Sequence, residues 1–79
     1  MQRFETYNIN GAPLAVVEAN NYAAAARKGL LKAFPEFVST RNIALEEVVV
    51  PEHLTFKNAP RHFDVCVVGA RSRKYFVIV

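Results

Sequence analysis

A single cysteine, Cys66, excludes an internal disulfide. Beside it stand only two histidines, His53 and His62, a poor donor set for zinc. The three glycines, Gly11, Gly29 and Gly69, are scattered, so no glycine-rich loop cradles a phosphate. No apolar run approaches the roughly 20 residues that span a bilayer, and the opening MQRFETYNIN lacks the apolar core of a signal peptide. Cys66 lies among valines, which suits a structural thiol in a reducing, intracellular setting. His62 shares strand parity with Cys66, yet four extended residues set them about 13 Å apart, beyond hydrogen-bond reach. Glu52 and His53 have no nucleophile beside them, and no Ser/His/Asp arrangement can be argued. These absences lead to the expectation of a protein that is not an enzyme, with no cofactor, no metal and no membrane partner.

What remains is a small hydrophobic chain with uneven charge. Its 79 residues are read as one domain, and 52% of them are hydrophobic, enough for a core. A chain of this size buries only about 60–65% of its unfolded surface, and packing is its one stabiliser. The net charge is +3. Residues 1–56 hold five cations against six carboxylates, whereas residues 57–79 hold Lys57, Arg61, Arg71, Arg73 and Lys74 against Asp64 alone. The excess positive charge therefore belongs entirely to the last segment, which points to an anionic partner.

Arg3–Ile9 reads as a strand, and Asn10-Gly11 as a tight turn in which both residues accept positive φ. Pro13 can open the next strand, which runs through Leu14–Ala19. Asn20 or Asn21 caps a helix over Tyr22–Phe34, rich in alanine, leucine and lysine and ended by Pro35. Its buried stripe is expected at Ala23, Ala26, Leu30 and Phe34, with Arg27, Lys28 and Lys32 elsewhere, open to solvent or to phosphate. Glu36–Asn42 reads as a loop with Phe37 turned inward, and Ile43–Val50 as a third strand whose Glu46-Glu47 marks an edge or a solvated face. A long connection, Pro51–Pro60, includes a possible short strand at Leu54 and Phe56. Phe63–Val68 and Tyr75–Val79 form a last hairpin around Gly69–Lys74. The expected fold is α+β with two layers: one helix on a mainly antiparallel sheet of four to five strands, in the order ββαβ(β)ββ.

The last hairpin is apolar on both faces, and one helix cannot cover both. Either the sheet curls shut or Cys66, Val68, Phe76 and Ile78, or the set with Tyr75 and Val77, meet another molecule; a homodimer is the expected form of such a contact. Between the strands, Arg71, Ser72, Arg73 and Lys74 form a basic tip suited to bidentate contact with phosphate or carboxylate. Tyr75 and Tyr7 can stack on bases or sugars if exposed, and Lys57 and Arg61 can extend the patch. A solvated turn, a nucleic-acid site and a contact for an acidic protein surface all fit this composition.

The hairpin with Asn10-Gly11, the alanine-rich Ala23–Lys28 and Arg71-Ser72-Arg73-Lys74 ahead of Phe76 together resemble the small non-histone chromosomal protein family of methanogenic archaea, which has relatives in large DNA viruses. The resemblance implies a sheet and one helix that bend DNA and do no chemistry. The acidic third strand and the long Pro51–Pro60 connection depart from that pattern. The expected function is a non-enzymatic nucleic-acid-binding module. The rival expectation is a small viral or phage-type interaction, inhibitor or structural subunit.

Overall fold

A computed structural model describes residues 1–38, 42–49, 61–67 and 73–79, with the backbone alone at 73 and 74. Among these residues, five strands and one α-helix follow in the order β1 (Gln2–Tyr7), β2 (Pro13–Ala19), α1 (Tyr22–Ala33), β3 (Ile43–Val48), β4 (His62–Val67) and β5 (Arg73–Ile78). The strands form one antiparallel sheet in the order β2-β1-β5-β4-β3, and α1 lies mainly across β2 and β1. This is the expected two-layer α+β fold. Val50, the Pro51–Pro60 connection with Leu54 and Phe56, and Val68–Ser72 lie outside the described residues.

The first hairpin closes differently from expectation. Gly11 has φ 80°, while no other described residue has a positive φ, so Asn10 stays in the ordinary region. The turn runs over Asn8–Gly11, with the Gly11 N–H donating to the Asn8 carbonyl. Asn8 Oδ1 accepts from the N–H groups of Asn10 and Ala12. The Asn8 side chain thus organises the loop, and only Gly11 needs the left-handed conformation.

Asn21 is the helix N-cap, its Oδ1 accepting from the Ala24 N–H. The buried helix residues are Ala25, Ala26, Gly29 and Leu30, while Ala23 is exposed. The expected stripe was therefore out of phase at its start, because a run of four alanines leaves the apolar face undefined. Gly29 explains why the helix tolerates a glycine: a Cβ there would lie 2.4 Å from Thr6 Oγ1 and 2.7 Å from Thr6 Cγ2. Thr6 is itself buried, and its hydroxyl donates to the Ala15 carbonyl and accepts from the Ala15 N–H. Helix and sheet meet at this point through backbone on one side and a fixed threonine on the other.

Phe4, Val17, Ala19, Phe63, Val65, Val67, Val77 and Val79 form the core on the sheet side, joined by Leu30 and by Phe37 from the short 3-10 turn Pro35–Phe37. The odd-numbered positions of β4 and β5 thus face the helix. Phe37 turns inward as expected.

Candidate nucleic-acid interface

The β4–β5 register runs from His62 opposite Ile78 to Val67 opposite Arg73. Arg73 and Lys74 therefore open β5 at one end of the sheet, with Lys74 opposite Cys66. Arg71, Ser72 and Lys57 lie outside the described residues. Asp64, the one carboxylate of the last segment, sits opposite Phe76, three residues along β4 from Val67, or about 10 Å.

Arg61 does not join this end. It precedes β4, so the length of that strand, about 20 Å, separates it from the level of Arg73. Its guanidinium is committed there: Nε and Nη2 both donate to the Glu47 carboxylate, the Nη2 bond at 2.7 Å. The same group lies 5.0 Å from the centre of the Tyr22 ring. Hydrogen bonding to Arg61, reinforced by its charge, lowers the Glu47 pKa, and the pair raises that of Arg61.

Tyr75 is also placed otherwise than the stacking role requires. Its ring packs at 5.0 Å from Phe34 and 5.5 Å from Phe37, under the end of the helix, and the residue is half-buried. The signal was in the sequence, since Tyr75 shares strand parity with the buried Val77 and Val79. Tyr7 lies on the opposite face and its hydroxyl donates to Glu5 at 2.5 Å; this bond is the main cause of its raised pKa.

Two of the three helix cations serve the fold; Arg27 is exposed. Lys28 Nζ donates to the Glu18 carbonyl at 2.7 Å, and Lys32 Nζ to the Val16 carbonyl at 2.9 Å. Residue types alone did not show that two lysines one turn apart would reach over the outer edge of β2. Exposed Ile9, in the β1–β2 turn, shares a recess of about 290 Å³ with Leu14, Phe34, Tyr75 and Phe76, toward the same end as Arg73.

The face opposite the helix is only partly apolar surface. Ile78 is 2% exposed, so this member of the expected self-association patch is already enclosed within the chain; Cys66 and Phe76 are half-buried. His62 is 4% exposed, its ring 5.6 Å from Phe76, and its buried Nδ1 has no hydrogen-bond partner among the described residues. Among the described residues no group of His, Cys, Asp and Glu is placed to hold a metal ion. No described helix is long and apolar enough to cross a membrane.

No protein-family model, curated protein or solved structure matches the chain.

Proposed function

We propose that the chain is a non-enzymatic nucleic-acid-binding module whose contact surface is the end of the sheet where β5 begins. The register that starts β5 at Arg73, opposite Val67, is the observation that carries the reading. It sets Arg73, next in the chain to Arg71 and Ser72, three residues along from the level of Asp64 and a strand length from the Arg61–Glu47 pair, while Lys74 stands diagonal to Asp64 across β4 and β5. Phosphate contacts by these cations supply the affinity, and the exposed Ile9 nearby offers an apolar contact to sugar or base. Tyr75 supports the site from beneath rather than stacking. Arg61 contributes through its hold on Glu47. Self-association through Cys66 and Phe76 would place two basic ends on one particle.

The test is fluorescence anisotropy with labelled duplex DNA, single-stranded DNA and RNA across a salt series. Affinity should fall linearly in log–log form, by about 0.9 per phosphate neutralised on duplex DNA. A flat response, or no binding to any of the three at low salt, overturns the reading. Changing Arg71, Arg73 and Lys74 together to alanine should remove most binding and alter stability by no more than about 0.5 kcal/mol. Arg61→Ala should keep most of the binding. Sedimentation of the same samples reports any dimer.

A further inference from the structure

Among the described residues, the two edges of the sheet offer backbone hydrogen-bonding groups to very different degrees. At the β2 edge, successive outward carbonyls of Val16 and Glu18 are occupied by Lys32 and Lys28. β3 pairs with β4 on one side, and among the described residues nothing pairs with its other side. It runs for six residues without proline or glycine, so its outward N–H and C=O groups form an uninterrupted template.

The side chains on this edge narrow the choice of occupant. Glu46 stands directly opposite Asp64, both exposed, on the face away from the helix. Like charges in a cross-strand pair repel. Glu47, next along, is neutralised by Arg61; among the described side chains there is no salt bridge to Glu46 or Asp64, and the backbone position of Lys74 is diagonal to Asp64 and two strands from β3's open side. Ala44, Glu46, Asp64 and Cys66 line a recess of about 370 Å³ on that face. On the helix side, Ile43 and Leu45 are half-buried and pack against the core, which leaves their outer flanks for an apolar neighbour.

A second copy of β3 is a poor fit. Pairing centred on Glu46 sets that carboxylate against itself, and pairing centred on Leu45 makes the two Glu46 side chains diagonal neighbours, roughly 7–8 Å apart. A cationic strand has neither problem. We infer that the β3 edge is a docking site for an extended peptide segment that alternates cationic and apolar side chains. The segment adds as a sixth strand, its cations over Glu46 and Asp64 and its apolar residues beside Ile43 and Leu45.

The probe is a capped six-residue peptide of alternating lysine and valine, matched to the length of β3, titrated into the isotope-labelled full chain. The expected result is saturable amide shifts confined to β3 and β4, with slowed exchange of outward β3 amides. A glutamate–valine peptide should not bind. Backbone N-methylation of the lysine–valine peptide should weaken it by about tenfold or more, because strand addition rests on main-chain hydrogen bonds. Glu46→Lys with Asp64→Lys, both exposed positions, should reverse the preference toward the glutamate–valine peptide. Equal binding of the N-methylated peptide, shifts centred outside β3 and β4, or occupation of the edge by a second copy would each overturn the inference. A variant with Arg71→Ala and Arg73→Ala alone, which keeps Lys74 beside Asp64, should lose nucleic-acid affinity and bind the peptide as the parent does, so the two results stand apart.

Discussion

At the β2 edge the helix both packs on the strand and reaches over its outer rim with two lysines; at the β3 edge the strand ends the sheet with two neighbouring carboxylates and no described group covering its backbone. Among the described residues the same sheet therefore has a sealed side and an open side. The difference originates in helix placement. One helix of 12 residues covers only part of five strands, and its closest approach is to β1 and β2, through Gly29 on Thr6. Cations that composition alone would assign to an anionic partner are used to close the near edge. The acidic edge lies where the helix makes far less contact than it does with β2.

The most disruptive way to break this arrangement is Gly29→Ala. Helix propensity alone favours alanine by up to about 1 kcal/mol. The added Cβ would meet Thr6 at 2.4–2.8 Å, and Thr6 is held by two hydrogen bonds to Ala15, so it cannot easily yield. The overpacking cost, typically about 1–3 kcal/mol, should outweigh the propensity gain. Urea unfolding should show a lower midpoint. Adding Thr6→Ala should recover part of the loss, since the clash disappears with the threonine side chain; two strictly additive losses would show that the contact is not the cause.

A smaller effect is expected from replacing Lys28 and Lys32 with methionine. The aliphatic stems stay, and only the two bonds to the Val16 and Glu18 carbonyls are lost. These groups are solvent-exposed, so the cost is a few tenths to about 1 kcal/mol in total. The informative change is in association. With its outward carbonyls uncovered, β2 becomes a second available edge, and light scattering should show concentration-dependent growth beyond any association of the parent. Unchanged mass at every concentration would mean that the lysines do not guard the edge.

The architecture was legible because each element carries its own signal. Asn21, the Ala–Leu–Lys helix and Pro35 bound the helix, and β-branched runs mark the strands. Parity within the last hairpin correctly put Phe63, Val65 and Val67 on one side. The candidate site was less legible, since its residues depend on contacts between distant segments. Arg61 meets Glu47 only because β3 and β4 pair in a register that sets Val48 opposite His62. Tyr75 enters the aromatic group only because Phe34 and Phe37 end the helix above it. By propensity alone Gly29 weakens the helix, and the partner that explains it, Thr6, stands 23 residues earlier on another element. Such pairings are set by tertiary geometry, which local propensity does not encode.

The smallest effect concerns the two adjacent glutamates of the open edge, of which only Glu47 is paired. Its carboxyl pKa lies below the ordinary 4.5, chiefly through the hydrogen bonds from Arg61. A carboxyl whose folded pKa is depressed contributes stability above its unfolded value and loses that contribution as pH falls through the folded value. The contribution of the pair should therefore be constant from neutral pH down to about pH 5 and vanish progressively below 4.5. Other carboxylates titrate in the same range, so the quantity to follow is the difference between the parent and Glu47→Gln. Both proteins are unfolded in urea at a series of pH values from 7 to 3. The parent should hold a small advantage at neutral pH that narrows in acid, because the protonated Glu47 no longer offers a carboxylate to Arg61. High salt should reduce the advantage as well, since both side chains are exposed and screened. A difference that is flat across the whole pH range would show that the Arg61–Glu47 pair does not form in solution. Arg61 would then be released from β3, and it would return as a candidate for the anionic partner from which the fold now separates it.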